Sequence, residues 1–329
     1  MDKELKTPLV SIICLTYNQA QYIRKTLEGF VMQKTNFPIE ILIHDDASTD
    51  ETADIIREYE NEYPEIIKPI YQKENQYSKK IAIGVTYIYP KVKGKYIALC
   101  EGDDYWTDPL KLQKQVNFLE QHSDYSLIYT RTNIYNQTTG KMENETFGYE
   151  YKGYNALLSI NCIPTLTICM RTDAMLQYLK DVKPQEKKWL MGDYPAWLWI
   201  GYHHKIKYIP DITSVYRVSK ESASHSQNPK KQEAFILSEI EIKEYYRNKF
   251  GIQPFEDYQK AINSLYFKLF ELFFQARYFQ KARLYSRRIN LNLVSSRERR
   301  KVSRFYVRYL VYCLKCVIKS IKEHNSQQK

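Results

Sequence analysis

The sequence predicts an α/β fold, a sheet covered by helices, followed by a basic helical extension. Three observations carry that expectation. Short apolar runs alternate with stretches of helical spacing through residues 8–123. Polar and acidic residues collect just after the carboxyl ends of those runs. Charge is also uneven: residues 277–322 hold 14 Lys/Arg and one acid, Glu298, so that against a total of +11 the rest of the chain sums to −2.

Residues 9–15 (LVSIICL) are a short apolar run suited to a central strand. Thr16, Tyr17 and Asn18 follow, and residues 19–34 then place Tyr22, Ile23, Leu27, Phe30 and Val31 at helical spacing. Phe37-Pro38 interrupts the chain. Residues 39–43 read as a second strand ending on His44-Asp45-Asp46-Ala47-Ser48-Thr49-Asp50, with Ser48 and Thr49 as caps for a helix over 51–63 that Pro64 closes. A third strand covers 66–71, a polar stretch 72–80, a short helix 81–89, and a fourth strand 95–100. This alternation implies a mostly parallel sheet.

The fourth strand ends in Glu101, Asp103 and Asp104 around Gly102, with Tyr105-Trp106 beyond. Crowded carboxylates repel and raise one another's pKa, so such a cluster calls for a cation. Oxygen ligands suit Mg²⁺ or Mn²⁺, above all where a substrate phosphate completes the shell. The alternative is a solvated acidic turn ahead of the helix at Asp108-Pro109. Residues 16–18, 45–50 and 101–104 all fall after strand ends, the edge along which open parallel sheets bind ligands. Neither GxGxxG nor GxxxxGK[ST] is present, which leaves a phosphate to a metal rather than a glycine cradle.

Further along, residues 109–122 suit a helix that begins on Pro, 125–135 a strand, and 136–146 a polar hairpin or loop. Residues 156–170 are apolar, broken by Pro164, and are expected to line an acceptor side. Asp193 stands among Trp189, Tyr194, Trp197 and Trp199, with Tyr202 just beyond. A carboxylate there suits a general base, and aromatic faces stack on sugar rings; Asp193 followed by Pro195 is equally a helix start. Residues 206–218 read as a strand carrying Arg217, a cation for a diphosphate or acceptor, or else a surface ion pair. The polar stretch 219–228 has the composition of a lid, and its His225 is either a further metal ligand or a solvated loop histidine.

From Lys230 the composition turns to amphipathic helices over 232–249 and 256–290. Arg304, Arg308, Lys315, Lys319 and Lys322 then share one helical face, while Phe305, Tyr306, Leu310, Cys313, Leu314, Val317 and Ile321 fill the rest. That pattern suits an interfacial helix on an anionic membrane surface, or a helix packed on the first domain with a solvated basic edge. Nothing else in the chain supports nucleic acid as a partner. The N-terminal MDKELKTPLVSII carries no signal-peptide pattern and the six cysteines show no disulfide framework, so the expected location is cytoplasmic, peripheral on the inner face of the cell membrane.

Three segments in order, PLVSIICLTYN at 8–18, IHDDASTDET at 43–52 and GKYIALCEGDDYW at 94–106, resemble the successive signatures of the family 2 glycosyltransferases. The resemblance covers roughly residues 8–220 and implies the GT-A fold, a Rossmann-like mixed sheet covered by helices. It also implies an inverting transferase that uses a nucleotide-diphosphate sugar donor and Mn²⁺ or Mg²⁺. On that basis Thr16, Tyr17 and Asn18 line the base and ribose pocket, and Asp45 or Asp46 bonds the base or ribose. Asp103 and Asp104 are the metal and ribose carboxylates, Glu101 holds the upstream acidic position, and Asp193 is the base. Ala47 stands where glycine is common, and Glu-Gly-Asp-Asp replaces the commoner Asp-x-Asp-Asp. The expected domains are 1–228, split at 123/124 into a nucleotide-sugar half and an acceptor half with lid, and a helical extension over 229–329. The expected acceptor is a glycan or lipid-linked glycan in capsule, O-antigen or exopolysaccharide assembly. The competing readings are a non-catalytic nucleotide-sugar-binding protein of the same fold and a metal-dependent nucleotidyltransferase.

Overall fold

The structure is a computed structural model that describes residues 7–219, 226, 228–252 and 255–327, with side chains to residue 318. His225 and nearly all of the expected lid lie outside the described residues. The chain forms two compact units, Met1–His225 and Ser226–Lys329.

In the first unit, β1 (Val10–Thr16) leads into α1 (Ala20–Val31), β2 (Ile39–Asp45) into α2 (Thr52–Glu62), and β3 (Ile67–Tyr71) into a π-helical turn at Gly84–Ile88 and a 3-10 turn at Tyr89–Lys91. Next come β4 (Tyr96–Leu99), the short β5 (Tyr105–Trp106) and α3 (Lys111–Gln121). β6 (Tyr125–Asn136) and β7 (Lys141–Phe147) make a hairpin over the polar 136–146 stretch. α4 (Tyr154–Ser159), β8 (Cys169–Arg171), α5 (Thr172–Val182), α6 (Tyr194–His203) and β9 (Lys205–Val218) complete the unit.

The strands form one nine-stranded sheet in the order β3-β2-β1-β4-β8-β6-β9-β5, with β7 on β6. β3, β2, β1 and β4 are parallel; β8 is antiparallel to β4 and β6, and β6 runs parallel to β9. The sheet is therefore mixed, and its parallel run stops at β4. β1 is buried nearly throughout on both faces, which is why its sequence shows no alternation. Register sets the functional edge: Thr16 pairs with Asp45 and Asp45 with Tyr71, so β1, β2 and β3 end side by side.

Three expectations need correction. Ser48 and Thr49 do not cap α2. Glu51 precedes the helix without a side-chain bond, and Asp50 Oδ1 instead accepts from the Thr52 N–H at 3.0 Å. Residues 156–170 are mostly core: Leu157, Leu158, Leu166 and Ile168 are buried, and the stretch runs into β8 within the sheet. The extended helix over 256–290 is two helices, α8 (Phe255–Gln275) and α9 (Phe279–Ser286), because Arg277 turns left-handed at φ 61° between them.

The second unit also contains α7 (Pro229–Phe250), whose N-terminus is capped by Asn228 Oδ1 accepting from Lys230 N at 2.9 Å, and α10 (Ser296–Gln327). Its core gathers Ile240, Phe270, Phe273, Ala282, Val302 and Phe305 from α7, α8, α9 and α10.

One buried cation tests the packing of the first unit. Lys111 on α3 is fully buried over the Trp106 ring, 4.2 Å from its centroid, and donates to Gln115 Oε1 at 2.9 Å. Burial pushes its ammonium down to about 8. The folded state thus binds fewer protons than the unfolded chain between about 8 and 10.5, and stability climbs with pH across that window. Lys111→Met is expected to raise the melting temperature at pH 7 by ~2–5 °C and to remove this residue's share of the climb, read by thermal unfolding across pH.

Candidate active site

After Leu99 the chain bends across the end of β1. The Cys100 N–H donates to Ile13 O at 3.1 Å and the Gly102 N–H to Leu15 O at 3.0 Å. A Cβ on Gly102 would stand 2.4 Å from Gln19 Oε1 and 2.7 Å from Thr16 Oγ1, so only glycine fits this approach. Thr26 on α1 braces the turn from below, its Oγ1 lying 2.9 Å from Gly102 O and 2.6 Å from Asp104 O. β9 braces it from the side. Because Tyr105 pairs with Val215, Arg217 falls beside the acids. Its N–H donates to Asp104 Oδ1 at 2.7 Å, its guanidinium donates to Asp103 O, and the guanidinium lies over the Tyr105 and Tyr22 rings at 4.6 and 5.0 Å. Arg217 thus clamps the acid turn, a role its sequence position did not reveal.

The turn concentrates negative charge. Burial first, then repulsion from Asp103, drives the Asp104 carboxyl well above the usual range, against the Arg217 N–H bond. Burial also raises Asp103, although hydrogen bonds from its surroundings, Arg217 and the Gln19 side chain all ease it. Glu101 is pushed up to about 7, by desolvation first and then by Asp103 and Asp193. Its side chain nonetheless remains exposed to solvent. Beside the turn, Thr16 Oγ1 and Gln19 Oε1 are buried without hydrogen-bond partners. Excess negative charge with unpaired oxygens alongside fits a hard divalent cation. Among the described residues no three His, Cys, Asp or Glu side chains enclose a point by themselves, so the site suits an ion that draws the rest of its shell from phosphate and water.

The ends of β1 and β2 are tied together by side chains. Asn18, left-handed at φ 51°, accepts from the Thr49 N–H at 2.8 Å, and its own N–H donates to Ser48 Oγ at 2.9 Å. Ser48 Oγ donates in turn to Asp45 Oδ1 at 2.5 Å. Asp46 spends both carboxylate oxygens on backbone, accepting from Gln76 N at 2.7 Å and Tyr77 N at 2.9 Å, and so anchors the polar 72–80 stretch. Ala47 adopts φ 62°, which explains why glycine suits this position. Tyr17 presents an exposed ring.

Asp193 caps α6: its Oδ1 accepts from Tyr194 N at 2.7 Å and its Oδ2 from the Thr165 hydroxyl. Thr165 stands on a short 3-10 turn, Thr165–Thr167, that Trp106 Nε1 and Gln115 Nε2 hold through Leu166 O and Thr167 O, both at 2.7 Å. Trp106 thus links the acid turn to the support of Asp193. Three of the five aromatic residues near Asp193 behave otherwise than expected, while Tyr202 is exposed and Trp189 half-buried. Tyr194, Trp197 and Trp199 are buried, so they cannot stack on a sugar, and Trp199 Nε1 donates to Asp181 Oδ2 at 2.6 Å. Sequence reasoning missed Gln19, Thr26, Thr165 and the clamping role of Arg217. Gln19 adjoins a recognised motif and was within reach; the others are identified only by tertiary contact.

A sheet of this strand order, with an acidic turn at its carboxyl edge and helices around it, is a GT-A-type α/β fold. Residues 11–179 match the model described as Glycosyl transferase family 2, and the chain belongs to that family. The chain spans about half the length of the curated relatives it matches. One is the Escherichia coli UDP-Glc:alpha-D-GlcNAc-diphosphoundecaprenol beta-1,3-glucosyltransferase WfaP, 35% identical over 127 residues, 39% of this chain and 46% of that protein. Among solved structures, S. aureus TarS 1-349 in complex with UDP aligns with a TM-score of 0.55 at 17% identity, over 91% of this chain and 87% of that one. The mannosyltransferase PcManGT from Pyrobaculum calidifontis, in complex with GDP-Man and Mn²⁺, aligns with a TM-score of 0.51 at 15% identity, over 92% and 85%. At these identities the two structures speak for the fold.

Two outcomes follow from the geometry. Raised folded-state carboxyl pKa values stabilise the protein at low pH, and that stabilisation is lost as pH rises through about 7 for Glu101. Asp104→Asn keeps the acceptor for Arg217 N but removes the charge, so in EDTA at neutral pH it is expected to melt ~2–5 °C higher than wild type. Gly102→Ala is expected to destabilise by about 1–3 kcal/mol in denaturant unfolding, because the added carbon meets Thr16 and Gln19.

Proposed function

We propose that the protein transfers a glycosyl group from a nucleotide-diphosphate sugar to a hydroxyl of a glycan or lipid-linked glycan, with inversion, in the assembly of a bacterial surface polysaccharide. The observation that carries this reading is the acid turn at the carboxyl edge of the sheet, tied through Trp106 to the 3-10 turn whose Thr165 bonds Asp193. Asp193 is also near enough to the turn to act on the Glu101 carboxyl. WfaP supports the acceptor class, since its name describes transfer from UDP-Glc to a diphosphoundecaprenol-linked sugar.

In this reading Tyr17 offers its exposed ring to the base, while Thr16, Asn18 and Asp45 supply polar groups to base and ribose. Asp46 contributes by holding the 72–80 stretch in place. Asp103 would be the primary ligand for Mn²⁺ or Mg²⁺, and Asp104, with one oxygen committed to Arg217 N, would support it. When bound, the ion offsets charge on the leaving nucleoside diphosphate; PcManGT, with Mn²⁺ beside GDP-Man, is a structural parallel.

Asp193 is the base. Each of its oxygens keeps a second lone pair beyond the bonds from Tyr194 and Thr165, and those bonds fix its orientation. As the acceptor oxygen bonds to the anomeric carbon from the face opposite the diphosphate, the acceptor proton passes to Asp193. The carbon–oxygen bond to the diphosphate breaks, and its electron pair leaves with the phosphate. Attack from the opposite face inverts the centre. Holding donor and acceptor in one cleft supplies the orientation term.

Asp193→Asn preserves the helix cap while removing the base. It is expected to lower kcat by roughly 10²–10⁴ with donor affinity unchanged, measured by sugar transfer and by calorimetric titration of the nucleotide-sugar. Full transfer by this variant would overturn the assignment. Donor hydrolysis that persists unaltered in EDTA would remove the metal from the scheme.

A further inference from the structure

α10 divides into two halves. Its first turns belong to the core of the second unit: Val302 and Phe305 are buried with Phe270 and Phe273, and Tyr309 packs beside them. Phe305 meets Phe270 edge-on at 5.3 Å, and Lys301 pairs with Glu271. Beyond that seam the helix carries apolar side chains on its other side. Val307, Leu310, Val311, Leu314, Val317 and Ile318 are exposed at 48–65%.

At about 100° per residue these six fall within one arc of roughly 120°, turned away from Val302, Phe305 and Tyr309. Arg304, Arg308 and Lys315 lie along one flank of that arc, and each is exposed. Single surface apolar residues are ordinary, but this continuous apolar arc, on a helix already anchored by its opposite face, is left exposed by the described residues. Its length, 307–318, covers about 16 Å.

We propose that this arc of α10 docks the protein on an anionic lipid bilayer, lying in the plane of the interface. The apolar arc provides the face that enters the acyl boundary, and the adjoining cationic stripe provides the contact with lipid phosphates. Among the described residues no helix is long and apolar enough to cross a membrane, which leaves a helix of this kind at the surface. A second copy of the chain is the rival occupant. Two such faces brought together would align their like-charged flanks, from Arg304, Arg308 and Lys315, and that repulsion favours lipid. The inference stands apart from the transfer reaction, since its readout is binding alone.

The experiment is flotation of the full chain with vesicles of phosphatidylcholine alone and vesicles containing phosphatidylglycerol. Expected are binding to the anionic vesicles only, loss of that binding with added salt, and a drop of roughly fivefold for each cation removed in Arg304→Gln/Lys315→Gln. Leu310→Asp/Leu314→Asp is expected to abolish flotation while leaving the melting temperature unchanged, because both side chains are exposed. Equal flotation by wild type and the leucine variant overturns the proposal. So does a dimer, seen by light scattering, that the leucine variant dissociates while wild type ignores both kinds of vesicle.

Discussion

Three carboxylates held at the end of one buried strand constrain the rest of the first unit. Desolvation raises Glu101, Asp103 and Asp104 alike, and repulsion from neighbouring carboxylates adds to the rise of Glu101 and Asp104. Such a turn persists only if its backbone is held from several sides. The β1 carbonyls, the Thr26 hydroxyl and the Arg217 clamp do this from three different elements. The stability given up in crowding the charges leaves a site short of positive charge, which is what an anionic donor with its counter-ion supplies.

The same turn organises the surroundings of Asp193 through packing. Trp106 follows the acids by two residues, and its indole fixes the short turn on which Thr165 reaches Asp193. Lys111 and Gln115 on α3 stand behind that indole and that turn. The position of Asp193 is therefore coupled to that of the acids through a rigid, buried wall, and the two carboxylate sets are placed relative to each other by β5, the 3-10 turn and the head of α6. The second unit follows a different logic: an aromatic core holds α10 by one face and leaves its other face apolar and bordered by cations.

Much of this was legible in the chain. The first four strands and the helices after β1 and β2 announce themselves by apolar runs and helical spacing, because both depend on local periodicity. The acid turn was legible because carboxylates are costly to crowd and so stand out. The interior of the acceptor half was not. Residues 156–170 read as a wall of the site, yet most of their apolar side chains are core and only Thr165 reaches Asp193, since an apolar run looks the same whether it faces a ligand or a core. The aromatic group around Asp193 misled for the same reason: Trp197 and Trp199 supply bulk to the core rather than faces to a sugar. Asp45 and Asp46, adjacent and chemically identical, divide their duties only in three dimensions. One bonds Ser48 at the sheet edge and the other spends both oxygens on the 72–80 backbone.

The sequence by itself determined the α/β alternation, the sheet edge on which polar residues gather and the acidic identity of that edge, because each rests on residue type and near-neighbour spacing. Tertiary structure alone decided which groups brace the acids and what holds Asp193. Those contacts join residues as far apart as Asp104 and Arg217, or Thr165 and Asp193, and no local pattern records a pairing made across the sheet. It also decided which face of α10 is spent on the core and which is left over, since an amphipathic pattern names two faces without saying which one the fold will cover.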